Sequence, residues 1–182
     1  MIQGWNGNHS IFRKLIEKYK PSIIVEVGSW HGQSTINMAK ICKEIGLQTK
    51  IYAIDTWLGA LEFYTNPTEE RNLQKKDGYP QVFYKFLENI RNEGVDDIII
   101  PIPLPSNLGL KYIKYLGINP DIIYIDASHE YDDVKNDILL AKQLNPKVIF
   151  GDDYGNSYFP GVKQAADEFN ANIEDKWFWI LE

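Results

Sequence analysis

The chain alternates short apolar runs with amphipathic segments, and this alternation restricts the fold more than any other feature. Five runs rich in β-branched residues are typical of buried strands. They are SIIVEVG, KIYAID, DIIIPIPLP, DIIYID and KVIFGDD. The segments around them repeat apolar residues with a helical period, as at Ile11, Leu15 and Tyr19. Strands that alternate with helices predict a doubly wound, Rossmann-like α/β fold whose mostly parallel sheet is covered on both faces.

The 182 residues contain no repeat and no linker, so we predict a single domain over residues 1–182. Residues 1–20 contain a helix, with Ser10 as its predicted N-cap and Pro21 as a stop. The polar and aromatic stretch 59–80 has no clear period and is a candidate lid loop. The closing NIEDKWFWILE predicts a short C-terminal antiparallel hairpin.

Composition and charge exclude several classes of partner. The net charge of −6 argues against a broad nucleic-acid interface, which needs clustered Lys and Arg. Cys42 is the only cysteine, so no disulfide framework or thiolate metal cluster is expected. The start MIQGWNGNHSIF does not resemble a signal peptide, and no apolar run approaches the roughly 20 residues of a membrane span. We therefore expect a cytoplasmic protein with no membrane partner.

Glycines and an acid follow the first two predicted strands, at the sheet edge where α/β proteins bind ligands. Gly28 permits a tight turn, and Gly32 lets the next helix start near the strand, with free N–H groups for an anion. The spacing is not the dinucleotide fingerprint G-x-G-x-x-G. Asp55 is placed to bind ribose hydroxyls. The loop and the acid together favour a nucleoside-binding site over turns that bind no ligand. Trp57 beside Asp55 would cover the adenine unless it belongs to the core.

The fourth and fifth predicted strands end in the carboxylates Asp126, Asp152 and Asp153. Three crowded carboxylates repel one another, and a Mg²⁺ ion among them would relieve the repulsion. The alternative is that Asp152 and Asp153 cap a turn and point apart. His129 titrates near neutrality and is a candidate general base, the alternative being a hydrogen-bonded structural histidine.

Five motifs, in order along the chain, resemble those of class I S-adenosylmethionine-dependent methyltransferases. They are VEVGSWHGQSTINMA, IYAIDTW, DIIYIDASHEYDDVKNDI, VIFGDDY and GVKQAADEF. The resemblance is strongest to the metal-dependent branch that methylates macrolide sugars and aminocoumarin sugars, and it runs from about Pro21 to the C-terminus. It implies an O-methyltransferase that acts on a hydroxyl of a sugar or of a similar vicinal-diol small molecule.

The resemblance also implies roles for individual residues. The S-adenosylmethionine site would comprise Glu26, Gly28, Ser29, Gly32, Ser34, Asp55 and Trp57, with Asp55 on the ribose and Trp57 near the adenine. Mg²⁺ would be held by Asp126, Asp152 and Asp153 and would position two acceptor oxygens. His129 would be the general base, and Asp126 would be the second catalytic residue.

Other functions remain open at this point. A catechol-type acceptor would need the same metal chemistry. A metal-dependent hydrolase would use the acids but would leave the glycine loop and Asp55 without a role. A nucleoside-binding module without catalysis would have no use for the acids and His129. The short segments 1–20 and 59–80 imply an open site, a homo-oligomeric partner that completes it, or a bulky glycan acceptor.

Overall fold

The computed structural model describes residues 2–182, apart from the side chains of residues 62 and 69. The helices are α1 (Ser10–Tyr19), α2 (Gln33–Glu44), α3 (Glu62–Thr65), α4 (Pro67–Glu70), α5 (Val82–Asn92), α6 (Ser106–Tyr115), α7 (Tyr131–Lys142) and α8 (Pro160–Glu168). The strands are β1 (Ile23–Val27), β2 (Lys50–Ile54), β3 (Ile99–Ile102), β4 (Ile122–Ile125), β5 (Val148–Gly151), β6 (Asn172–Glu174) and β7 (Phe178–Leu181).

The seven strands form one sheet in the order β3-β2-β1-β4-β5-β7-β6. The first five strands pair in parallel. β7 runs antiparallel to both β5 and β6. The doubly wound fold and its C-terminal hairpin are thus confirmed. The strand order reverses at β1, which lies between β2 and β4, and the crevice for a ligand in such a fold opens there.

Apolar side chains cover both faces of the sheet. One cluster joins α1, α2 and α5 to the sheet and includes Phe12, Phe86, Tyr124 and Phe150. The other joins α6, α7 and α8 to the opposite face and includes Ile138. Successive side chains of a strand point to opposite faces, so runs of consecutive apolar residues are needed to fill both clusters.

The helix ends agree with the sequence prediction except at the start of α1. α2 and α5 are followed by Gly46 (φ 77°) and Gly94 (φ 66°), in the left-handed conformation that glycine tolerates best. α1 begins at Ser10, but its N-cap is His9, whose Nδ1 accepts the N–H of Ile11 at 3.2 Å. The predicted Ser10 cap is therefore displaced by one residue, because an imidazole nitrogen supplies the acceptor.

Two peripheral segments adjoin the ligand edge. Residues 2–9, called here the N-terminal segment, contact the start of α2. There Gly7 donates its N–H to Oε1 of Gln33 at 3.1 Å, and Gln33 Nε2 donates to the carbonyl of Ile2 at 3.1 Å. The stretch 59–80 forms α3, α4 and a 3₁₀ turn at Arg71–Leu73. Within residues 2–182, no helix is long and apolar enough to cross a membrane.

Candidate cofactor and metal site

Residues 28–32, between β1 and α2, are called here the glycine loop. Two positions in this loop have room only for glycine. Gly28 has φ 90°, and a Cβ there would lie 2.0 Å from the carbonyl oxygen of Asp126. Its N–H donates to the carbonyl of Ile54 at the end of β2, at 2.8 Å. Gly32 has φ 89°, and a Cβ there would approach the Phe86 ring at 3.0 Å. The loop is therefore pressed between the ends of β2 and β4, at the point where the strand order reverses.

Glu26 of β1 holds this loop from the buried side. Its carboxylate is fully buried, at 0% exposure, and accepts hydrogen bonds from three hydroxyls. Ser29 Oγ donates at 2.9 Å, Ser34 Oγ at 2.5 Å, and Thr35 Oγ1 also donates. Burial raises the pKa of Glu26 to about 7, although the three hydroxyls oppose the shift. Glu26 therefore ties β1 to both the loop and the first turn of α2, and its oxygens are occupied within the protein.

Asp55 ties the same loop to the end of β2. Its Oδ2 accepts the backbone N–H groups of Ser29 at 2.9 Å and Trp30 at 2.8 Å. Its Oδ1 accepts the N–H of Trp57 at 2.6 Å. Burial raises the pKa of Asp55, and these backbone donors oppose the rise. The carboxylate thus organises two of the loops that would surround a cofactor, and Oδ1 keeps a lone pair for a hydroxyl.

Trp57 lies in the core. Its side chain is 1% exposed, and its ring packs against Phe83 and Phe86 at centroid distances of 4.8 and 4.9 Å. Its Nε1 donates to the carbonyl of Trp30 at 2.8 Å, so it supports the glycine loop from behind. The aromatic surface near the loop is instead that of Trp30, which stacks on Phe63 of α3 at 4.5 Å. The structure therefore leaves the ring of Trp57 no open face for an adenine.

Asp126, His129 and Asp153 meet at the ends of β4 and β5. Each offers one ligand atom, and these atoms all lie within 4.8 Å of one another. We call these residues the acid–histidine cluster. His129 Nε2 is 3.2 Å from Asp153 Oδ2, and Tyr124 donates its hydroxyl to Asp126 Oδ2 at 2.9 Å. Two carboxylates and an imidazole are suitable ligands for a divalent cation, so this donor set fits a metal.

Asp152 is not part of that group. Its side chain is 4% exposed, and its Oδ1 accepts the N–H of Asp153 at 2.7 Å and the amide of Asn6 at 3.4 Å. Asp153 has φ 64°, and its side chain lies beside His129. Of the three acids predicted to share a cation, the structure groups two with His129. Asp152 is bound to the N-terminal segment through Oδ1, yet it lies close enough to Asp126 for its charge to raise the pKa of that residue.

The electrostatics of the cluster favour a positive charge. Burial raises the pKa of Asp126 well above its usual range, and the charges of Asp152 and Asp153 raise it further. Burial also raises the pKa of Asp152 to about 6. Carboxylates held this close resist simultaneous ionisation, and a cation removes that penalty.

Three residues at the site were not predicted from the sequence. Thr35 bonds Glu26, Tyr124 bonds Asp126, and Asn6 bonds Asp152. Tyr124 carries a signal that could have been read, because residues two apart in a strand face the same side and Tyr124 precedes Asp126 by two. Asn6 carries none, since it meets Asp152 from 146 residues away.

Comparisons with solved structures agree with this architecture. An O-methyltransferase from Bacillus cereus in complex with SAH (S-adenosylhomocysteine) aligns with a TM-score of 0.67 at 14% identity, over 98% of this chain and 82% of that one. The calicheamicin methyltransferase CalS11 aligns with 0.68 at 15%, over 95% and 76%. The O-methyltransferase NovP aligns with 0.63 at 17%, over 95% and 78%.

Sequence comparisons assign the family. The protein y4gI of Sinorhizobium fredii is 26% identical over 162 residues, which are 86% of this chain but 16% of that protein. The chain thus spans about a sixth of the length of this relative. The family described as "Methyltransferase domain" matches residues 25–154, which include the glycine loop, Asp55 and the acid–histidine cluster. The chain therefore belongs to the methyltransferase domain family.

Proposed function

We propose that the domain transfers a methyl group from S-adenosylmethionine to a hydroxyl of a sugar or of a similar vicinal-diol small molecule, with the help of a divalent cation. One observation carries this proposal. The space for a Cβ at Gly28 is filled by the backbone of Asp126, so the loop that would hold the methyl donor and the cluster that would hold the cation adjoin directly. Donor and acceptor would therefore meet in one crevice.

The cofactor side of the crevice rests on Gly28, Gly32 and Asp55. The N–H groups at the start of α2 suit the carboxylate of the methionine moiety, and the free lone pair of Asp55 Oδ1 suits a ribose hydroxyl. Glu26, Ser29 and Ser34 hold the loop in shape through their buried hydrogen bonds. Trp57 acts through the Trp30 carbonyl rather than by covering the base.

The acceptor side rests on the acid–histidine cluster, with Asp152 next to Asp126. A sugar hydroxyl is a poor nucleophile at neutral pH, and a divalent cation, Mg²⁺ in the branch that the sequence resembles, would lower its pKa. His129 or a carboxylate of the cluster would take the proton. Positioning the oxygen in line with the sulfonium methyl would supply much of the rate.

The surroundings of the site suggest how an acceptor is covered. Phe63 of the stretch 59–80 stacks on Trp30 of the glycine loop, which supports that stretch as a lid. Exposed Tyr158 follows the cluster in sequence and offers a face to a sugar ring. We propose a cytoplasmic enzyme with a small-molecule or glycan acceptor and no nucleic-acid partner, in keeping with its net charge of −6. A second subunit that completes the site remains part of this proposal.

Calorimetric titration with S-adenosylhomocysteine, in Mg²⁺ and then in EDTA, tests the proposal. Binding in the micromolar range, on the order of −8 kcal/mol, would support the cofactor site and justify an acceptor screen with and without the cation. Asp55→Asn, which loses one carboxylate oxygen for the loop and the ribose, should weaken binding about tenfold or more. Cation binding without cofactor binding would favour a hydrolase, and cofactor binding without turnover on any acceptor would favour a non-catalytic module.

A further inference from the structure

We infer that His129 is a ligand of the cation rather than the general base, and that the cation is therefore a first-row transition ion such as Mn²⁺ rather than Mg²⁺. This inference rests on the proposed function, because it concerns the cation of the same site. It departs from that proposal in the role of His129 and in the class of metal.

The position of the imidazole supports a ligand role. Its Nε2 lies 3.2 Å from Asp153 Oδ2, inside a group whose ligand atoms all lie within 4.8 Å of one another. Neighbouring ligands of a six-coordinate ion with bonds of roughly 2.1 Å are about 3 Å apart, and opposite ligands about 4.2 Å apart. The His129–Asp153 pair therefore has the spacing of neighbouring ligands, and the 4.8 Å bound on the whole group only slightly exceeds the spacing of opposite ligands.

The surrounding packing holds the imidazole in that position. Its ring stacks on Phe159 with centroids 3.7 Å apart and an interplanar angle of 10°. The start of α8 presses against the same loop, since a Cβ at Gly161 would lie 2.6 Å from the carbonyl oxygen of His129. The imidazole is thus held in the fixed direction that a metal ligand needs.

The donor set also discriminates between metals. Mg²⁺ is bound in proteins through carboxylates and water, whereas imidazole nitrogen suits transition ions, and affinity rises from Mn²⁺ along the first row. Of the two oxygens of Asp152, the third acid at this edge, Oδ1 is engaged by the Asn6 amide and by the N–H of Asp153. An imidazole whose Nε2 lone pair is given to a cation cannot also accept a proton there, so the two roles exclude each other.

The test measures cation binding to the cofactor-free protein. Mn²⁺ and Mg²⁺ affinities are determined by calorimetry for the wild type, His129→Ala and His129→Asn. The Mn²⁺ complex of the wild type is examined by electron spin echo spectroscopy for coupling to a coordinated imidazole ¹⁴N. We expect that coupling, a preference for Mn²⁺ over Mg²⁺, and a loss of Mn²⁺ affinity in both variants of about 100-fold.

His9 provides a matched control. Its Nε2 lies 3.1 Å from Asp175 Oδ2, almost the spacing of the His129–Asp153 pair, but among the described side chains no third metal-binding group joins that pair. His9→Ala, which removes no atom of the acid–histidine cluster, should lower Mn²⁺ affinity far less than His129→Ala. Binding of S-adenosylhomocysteine by each variant verifies that it is folded.

Three results would overturn the inference. Unchanged Mn²⁺ affinity in both His129 variants, with loss of turnover alone, would make His129 the base. Equal affinity of the wild type for Mg²⁺ and Mn²⁺, without ¹⁴N coupling, would exclude the nitrogen ligand. Absence of any cation binding, with S-adenosylhomocysteine still bound, would remove the cation while leaving the cofactor site of the proposed function intact.

Discussion

At the scale of single residues, Gly28 is the glycine with the least space for a side chain. It combines φ 90° with a Cβ position 2.0 Å from the Asp126 carbonyl oxygen. We expect Gly28→Ala to lower the free energy of unfolding by about 3 kcal/mol or more, because backbone would have to move to admit the methyl group. Urea denaturation measures the loss, and titration with S-adenosylhomocysteine should reveal weakened binding.

A substitution at Gly46 serves as the control that separates steric crowding from backbone strain. Its φ of 77° is similarly left-handed, but a Cβ there would meet nothing within 4 Å. Gly46→Ala should therefore cost only about 1 kcal/mol, the strain of a left-handed alanine. Equal losses at both glycines would contradict the close contact between the loop and Asp126.

At the scale of elements, the pairing of α6 with α7 contains a buried acid, Asp137, whose carboxyl group bonds Ser106 but is only partly satisfied. Asp137 of α7 is 1% exposed, and its Oδ1 has no hydrogen-bond partner among the described residues. Burial raises the pKa of Asp137 to about 7, well above the 3.8 of a free carboxyl group. The folded state therefore holds a proton that the unfolded state releases, and the group's contribution to stability falls as the pH rises from about 4 to about 7.

Asp137→Asn should remove this pH dependence. The variant should match the wild type near pH 4 and exceed its free energy of unfolding by about 1–3 kcal/mol at pH 8, where the wild type carries a buried charge. Urea denaturation at both values measures the difference. Asp96→Asn, at an exposed acid, should change stability by less than about 0.5 kcal/mol. A variant less stable than the wild type at pH 8 would indicate that the carboxylate is satisfied in solution.

At the scale of the whole molecule, the C-terminal strands complete the sheet. β7 lies between β5 and β6, and its buried Phe178 and Trp179 face opposite cores. Deleting residues 172–182 should abolish cooperative unfolding. Each aromatic contributes about 3 kcal/mol or more, and a domain has only about 5–15 kcal/mol in total. Circular dichroism during urea titration measures the transition.

Deletion of Glu182 alone is the control for that truncation. Its side chain makes an ion pair with Lys18 at 2.5 Å, and this pair is exposed to solvent, so it adds little to stability. If the longer truncation retained a sharp unfolding transition at the wild-type urea concentration, the hairpin would be an appendage of the sheet rather than a part of it.

The fold could be predicted from the sequence because it depends on a pattern, whereas parts of the site depend on single side-chain directions. Apolar runs and intervening helices sufficed for the parallel sheet, and strand ends located Gly28 and Asp55. The sequence could not indicate which of two adjacent acids joins His129, because that depends on the left-handed φ of 64° at Asp153. The burial of Trp57 likewise follows from its φ of 52° and from distant phenylalanines.

The N-terminal segment has a consequence for how the ligands bind. Asn6 contacts Asp152 and the next residue, Gly7, contacts Gln33, so one peptide unit spans the distance from the acids to the start of α2. If a ligand displaced this segment at one end, we expect the contact at the other end to weaken as well. Thermodynamic linkage then requires that the factor by which cofactor changes cation affinity equals the factor by which cation changes cofactor affinity. The coupling between the two sites could accordingly be measured by titrating either ligand in the presence of the other.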